Sequence, residues 1–486
     1  MLKGRFLFFV ALLAGMAGAI AQGLVVDSGL ANYQVAPCDA EGNARFTLGG
    51  TAAGAVMVQG RVTATAKELV GWVDLGKAAQ GRWQGVIEAV PAGGPYRVEL
   101  RALDEAGSVV ASTAVYEVLA GDLWVLAGQS NMQGVGNRKE EEAPHPQVHV
   151  FAMNYTWRLA TEPLHILGES PDPVHCSAES EEKRQQEIAN WRDGPKGAGL
   201  GLAFAKEMLR RTGRPVGLVA SAHGGTSMAQ WDPALRDQGG ASLYGSMCQQ
   251  VEAAGGAVRG VLWYQGESDA NVASFPVFLE KFKALVEAIR RDFDSPELPF
   301  YYVQIGRFVN PEFDPVPWHW IQTEQLVAET QLPRCGMVAS IDLALDDAIH
   351  AGTPGLKTLG YRLANLAERD LFGAALLAGP RLERIERGDS PYGAYVRVIF
   401  SGVNDGLTAA GRVQGFSIGK GPAGPNYPCI FKQEIDPENP NAVVLWVAKL
   451  PADPHLWYGR GLDPYCNVVD AANMALPVFG PIAILE

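Results

Sequence analysis

Ser130 stands in the stretch GQSNMQG, residues 128–134, directly behind the apolar run LWVL of residues 123–126. A serine at a strand end ordinarily caps the helix that follows. To act as a nucleophile it needs a base to take its proton and donors to hold the negative charge that its attack creates. Gly128 suits the tight turn such a serine requires, and the Ser130 N–H is expected to share the space of its own side chain.

The chain has eight histidines, and His350 is the best base among them. In DDAIHAG, residues 346–352, Asp347 stands three residues before it. A carboxylate at that spacing can fold back in a turn and accept the Nδ1 proton. This fixes the tautomer and supports the imidazolium while Nε2 faces the serine. Asp346 is the competing carboxylate, one residue out of step. His145, His149, His165 and His175 fall in a long irregular stretch between residues 134 and 197, His319 sits in WHW, and His455 lies in a late β region.

The charge on a substrate carbonyl oxygen also needs a home. SAHGGTSMAQW, residues 221–231, supplies closely spaced glycine N–H groups, with Gly225 the favoured donor beside the Ser130 N–H. WYQGESD, residues 263–269, adds the Gln265 amide, and Glu267 and Asp269 to hold the loop. Losing one such donor typically costs roughly 3 kcal/mol. Glu267 reads first as rim architecture, salt-bridged or capping. Asn131, His223, Trp231, Glu267, Trp318 and Trp320 are candidates for the pocket wall.

These segments must be brought together by the elements between them. Residues 23 to about 118 show short alternating stretches such as AVMVQGRVTATA, separated by Gly and Pro, a β-sandwich signature. From 119 onward, strand-like runs (DLWVLAG, QVHVFAM, PVGLVASA, VRGVLWYQG, PFYYVQIGR, GMVASIDLA) alternate with helical periodicity in GLGLAFAKEMLRRTG, FPVFLEKFKALVEAIRRDF and LKTLGYRLANLAERDLFG. That alternation predicts an α/β domain with a mostly parallel sheet. Functional loops then collect beyond the carboxyl ends of the strands. Strand character returns in YVRVIFSG and AVVLWVAKL. The expected division is 1–21 leader, 22–118 β-sandwich-like, 119–378 α/β and 379–486 β-rich.

The leader MLKGRFLFFVALLAGMAGAIA has a basic start, an apolar middle and small residues at 19 and 21, so an exported, secreted or periplasmic chain beginning near Gln22 is expected. No other segment is long and apolar enough for a stable membrane span. The formal charge of -13 and the lack of a basic cluster argue against nucleic acid as a partner. Six scattered cysteines without C-x-x-C argue against a structural zinc site, and Cys429 with Cys466 is the first candidate for a disulfide.

Taken together, GQSNMQG, HGGTSMAQW, WYQGESD and DDAIHAGTPGLKTLGYRLA resemble the SGNH-type carbohydrate esterases, whose best-known members are sialate O-acetylesterases and whose relatives act on acetylated xylan. The resemblance is strong over residues 119–372. It implies a three-layer α/β/α domain, flanked by β-sandwich-like regions, that removes O-acetyl groups from a carbohydrate through an acetyl-serine. It assigns Ser130 as nucleophile, His350 as base, Asp347 as its carboxylate, and Gly225 and Gln265 as oxyanion-hole positions. Gln265 takes the place where many such enzymes use asparagine, and Asp269 departs from members with asparagine there. No metal or organic cofactor is implied. Aromatic faces suit a sugar, with Trp157, Trp191, Trp231, Trp263, Trp318 and Trp320 as stacking candidates, and the 134–197 excursion is a candidate cap over the pocket. Alternatives are an acetylxylan or other glycan acetylesterase, a non-catalytic exported carbohydrate-binding protein, and a glycosidase using Glu267 and Asp269 as its carboxylate pair.

Overall fold

The structure is a computed structural model describing residues 23–485 other than 66, 177 and 392; the expected leader lies outside the described residues. Its organising element is strand β1, Val109–Gly128, which is 20 residues long. The first part of β1 pairs antiparallel with residues 93–103 in the N-terminal β region. The second part enters the central sheet, so residues 118 and 119 lie within one continuous strand. Around that first part, antiparallel strands enclose an apolar core that includes Phe46, Trp83, Ile87 and Val98.

The other strands of the central sheet are β2 (Val148–Phe151), β3 (Trp157–Leu159), β4 (Val216–Ala220), β5 (Gly260–Tyr264), β6 (Phe300–Gln304) and β7 (Cys335–Ala339). Their order is β3-β2-β4-β1-β5-β6-β7. Every pairing along it is parallel except that of the edge strand β3. The fold class is therefore α/β, with mixed parallel and antiparallel pairing. Strands such as VGLVA and GVLWY are apolar at nearly every position and fully buried, as strands covered on both faces must be.

The helices are α1 (Ser130–Gln133), α2 (Glu181–Asp193), α3 (Gly201–Thr212), α4 (Leu243–Ala254), α5 (Phe278–Asp292), α6 (Pro315–Gln331) and α7 (Thr353–Phe372). Adjacent residues on β6 show how they cover the sheet, because side chains alternate between faces. Tyr301 meets Asp370 on α7, whereas Tyr302 bonds the Gln325 carbonyl on α6 and packs on Phe282 of α5. On the Tyr301 face, Trp124 of β1 stacks on Tyr301 and meets Phe204 of α3 edge-on at 4.8 Å.

A third core, with Val398, Phe400, Leu445 and Tyr458, belongs to the C-terminal strands. It is joined to the sheet through Gln304, whose amide donates to the Val478 carbonyl and accepts from its N–H, at 3.0 and 2.8 Å. Cys429 and Cys466 do not pair. All six cysteines are free thiols, and these two are buried as small apolar groups in that core.

One ion pair fastens this framework where the loop carrying His350 leaves β7. Arg362 of α7 is fully buried and grips Asp342 with two hydrogen bonds of 2.8 and 2.6 Å. It also donates to the carbonyls of Ala339 and Asn473. Removing one member of a buried pair strands its partner, so Arg362→Met is expected to cost about 3–5 kcal/mol in urea unfolding. A loss below about 1 kcal/mol would show that the pair is not a fastening.

Candidate active site

β1 lies between β4 and β5, so the turn after it is flanked by the loops that follow both neighbours. Gly128 opens that turn at φ 128°, where a Cβ would lie 2.3 Å from the Tyr264 carbonyl oxygen. Only glycine lets the chain pass. Ser130 is the first residue of α1, and Asn131, Met132 and Gln133 behind it are buried.

The His350 segment is a tight loop closed by a Leu345–Ala351 bridge and by bonds from Asp346 N–H to the His350 carbonyl and from Gly352 N–H to the Ala344 carbonyl. At its tip the Asp347 carboxylate accepts the N–H groups of Ile349 and His350 at 3.0 and 2.9 Å. It also meets His350 Nδ1, with both oxygens at 2.9 Å. His350 Nε2 lies 2.9 Å from Ser130 Oγ. The structure thus brings Ser130, His350 and Asp347 into one hydrogen-bonded line. Asp346 is turned away toward the Asn137 N–H. Burial pushes the Asp347 carboxyl up, but the bonds from the His350 ring and from two N–H groups outweigh it and hold the group below the usual carboxylate range. Lys196 adds a cation 3.3 Å away.

Asn131 fixes the distance between the two segments. Its carbonyl oxygen accepts the Ala351 N–H at 3.1 Å, and its amide donates to Glu267 at 2.9 Å. The amide beside the serine is therefore tied to the residue after the histidine. Glu267 is buried, which raises its carboxyl above the ordinary value against the opposing bond from Asn131. The glutamines on either side of Ser130 and Asn131 hold the neighbouring loops, a role that no motif in the sequence marks. Gln129 accepts the Gly266 and Ser268 N–H groups, and Gln133 accepts the Gly224 N–H at 2.8 Å. Their only sequence signal is four-residue spacing across the serine.

Several expectations need correction. Gln265 is fully buried, and its amide hydrogens go to the Thr226 carbonyl and, at 2.6 Å, to Asp269. It has no donor left for an oxyanion. Asp269 also accepts the Met228 N–H, so it braces one loop against the other. Trp231 and Trp263 are fully buried and pack edge-on against each other, with the Trp231 N–H bonded to Thr226. Trp318 is buried against Phe308 and bonded to the Gly306 carbonyl, and Trp157 packs on Phe151. Trp320 is exposed but leans on Phe275. His223 directs only its Nδ1 edge to His175, at 3.0 Å, and stays partly exposed directly before the pocket residues Gly224 and Gly225.

What surrounds Ser130 is an open pocket of about 420 Å³. Gln129, Gln133, Trp191, Gly225, Glu267 and Ile349 are in its wall with Ser130 and His350. Trp191 belongs to α2, so the excursion contributes a wall, and that excursion carries β2, β3 and α2 rather than being structureless. Gly225 has φ 72°, and neither its N–H nor that of Ser130 has a protein acceptor among the described residues. A larger depression of about 750 Å³ near Arg412 and Phe431 brings no serine and histidine together in its lining. Among the described residues no His, Cys, Asp and Glu cluster could hold a metal ion.

A serine–histidine–aspartate line at the strand-end rim of an α/β sheet is an arrangement in which an imidazole can take a proton from a serine hydroxyl. Residues 120–369 match the family model for carbohydrate esterase, sialic acid-specific acetylesterase, and the chain belongs to that family. It is similar to human sialate O-acetylesterase, 24% identical over 346 residues that span 64% of this chain and 65% of the human protein. A probable carbohydrate esterase of Arabidopsis thaliana is 29% identical over 206 residues, covering 38% of this chain and 68% of that protein. In three dimensions the chain resembles a carbohydrate acetylesterase from Xanthomonas citri, with TM-score 0.65 and 24% identity over 94% of this chain and 99% of the other. That likeness shows a fold shared along nearly the whole chain.

The lowered Asp347 carboxyl gives a stability test. A group held below its unfolded value of 3.8 stabilises the fold above that pH and loses the contribution as the pH falls below it. Asp347→Asn should therefore lower the urea midpoint relative to wild type at about pH 6, and the gap should narrow by about pH 3. A gap that widens toward acid would contradict the arrangement.

Proposed function

We propose that this protein is a serine esterase that removes O-acetyl groups from a carbohydrate by the SGNH-type mechanism, with O-acetylated sialic acid as its first-choice substrate. The observation that carries the reading is the 2.9 Å contact between Ser130 Oγ and His350 Nε2, continued at 2.9 Å to Asp347. The family model and the mammalian sialate O-acetylesterases among its relatives support the sugar class. The leader-like first 21 residues support an exported, secreted or periplasmic enzyme.

In the proposed reaction His350 takes the Ser130 proton as Oγ attacks the acetyl carbonyl carbon. Asp347 holds the ring with Nδ1–H bonded and stabilises the imidazolium that forms. The N–H groups of Ser130 and Gly225 receive the oxyanion. As the tetrahedral adduct collapses, His350 returns its proton to the departing sugar oxygen and leaves an acetyl-serine. Water, deprotonated by the same histidine, attacks that ester and releases acetate. A non-catalytic sugar-binding protein would have no use for a serine and histidine held at this distance. The glycosidase reading loses its carboxylate pair, because Asp269 is committed to Met228 and Gln265.

Ser130→Ala is expected to reduce turnover of a fluorogenic acetyl ester at least about 10³-fold while keeping the thermal midpoint. Acetate release should be detectable from O-acetylated sialic acids, with acetylated xylan as the comparison. Equal turnover by wild type and variant would remove the serine-esterase reading. Release confined to xylan would keep the chemistry and change the sugar.

A further inference from the structure

Behind the glycine segment lies a polar chain that the proposed chemistry does not use. Tyr155 OH donates to Asp172 Oδ2 at 2.8 Å, and Ser246 Oγ donates to the same oxygen at 2.5 Å. His175 Nε2 lies 3.0 Å from Ser246 Oγ, and His175 Nδ1 lies 3.0 Å from His223 Nδ1. Tyr155, Asp172 and His175 belong to the excursion, Ser246 to α4, and His223 directly precedes the pocket residues Gly224 and Gly225.

The direction of every proton in this chain follows from the donor inventory. A carboxylate only accepts, so the single Ser246 proton goes to Asp172, and Ser246 Oγ can only accept from His175. His175 therefore carries its proton on Nε2. Burial, with His223 and His165 nearby, holds its pKa down to about 3, so the ring is neutral and its Nδ1 is an acceptor. His223 must then donate from Nδ1, which leaves a lone pair on its Nε2. Burial lowers His223 as well. His149 Nε2 and His165 Nε2 are sealed in the interior without a partner, but His223 Nε2 is not among such buried atoms, and its residue is partly exposed.

The geometry points to His223 as a specificity-determining residue: the chain Tyr155–Asp172–Ser246–His175 locks it as the Nδ1–H tautomer, so that its Nε2 accepts a hydrogen bond from a hydroxyl of the sugar that carries the acetyl group. The inference rests on the esterase reading and deepens it. A sugar offers hydroxyl donors next to the scissile ester, whereas a simple aryl acetate offers none, so this acceptor separates the two. The excursion thereby reaches the pocket twice, once through Trp191 and once by setting a tautomer.

Two measurements test it. In ¹⁵N-histidine NMR of the wild-type protein, His223 should show a protonated Nδ1 and an unprotonated Nε2; the opposite tautomer overturns the proposal. In kinetics, His223→Asn keeps a donor toward His175 and deletes Nε2. The ratio of kcat/KM on an O-acetylated sugar to that on an aryl acetate should fall about tenfold, mainly through KM, which is the scale of one lost hydrogen bond. A substrate lacking the neighbouring hydroxyl should show no such fall. If both substrates lose the same factor, or the ratio is unchanged, His223 is only structural. Failure of the esterase reading itself would look different, because Ser130→Ala would then match wild type on both substrates.

Discussion

The contact between Ser130 and His350 joins residues 220 positions apart, and much of the local architecture serves to hold it. A proton passes efficiently only between groups already within hydrogen-bond reach, so the fold must fix two loops to within a few tenths of an ångström. On the serine side the restraint is the passage of Gly128 against Tyr264 at the end of β1. On the histidine side it is the Arg362–Asp342 pair where the chain leaves β7, and the Asp347 turn at the loop tip. Asn131 closes the circuit by bonding directly to Ala351.

Glutamine does a second, less visible job. Where parallel strands end together, backbone groups lose their ladder partners beneath the loops, and each group left unsatisfied costs about 1–3 kcal/mol. Here Gln129 accepts from Gly266 and Ser268, Gln133 from Gly224, and Gln325 from Ile305, while Gln322 donates to the Ile305 carbonyl. All four side chains are buried. A neutral amide offers both a donor and an acceptor without the desolvation cost of a charge, so it suits a sealed rim beside a pocket.

This explains what was readable in the residues and what was not. The D-x-x-H spacing of Asp347 and His350 is local chemistry, and the strand-then-turn setting of Ser130 is local pattern, so their convergence could be anticipated from the alternation of strands and helices. Gln265 could not be placed the same way, because whether an amide faces a pocket or Asp269 depends on the neighbouring loop. The tryptophans misled for a similar reason: Trp231 and Trp318 find their N–H partners inside the core. Helix α6 lacks a clear helical signature in the sequence because its buried face includes Gln322 and Gln325 where an amphipathic pattern would have aliphatic residues. Nor does composition reveal that β1 runs on from the N-terminal β region into the central sheet, since both halves read as strand.

The central claim is that Ser130 is a nucleophile activated by His350, and covalent capture tests it most directly. After reaction with an aryl phosphonate ester, intact-mass and peptide mass spectrometry should find one adduct on Ser130 in the wild-type protein. The same treatment of His350→Ala should give little or none. Labelling at another residue, or undiminished Ser130 labelling without the histidine, would contradict the claim.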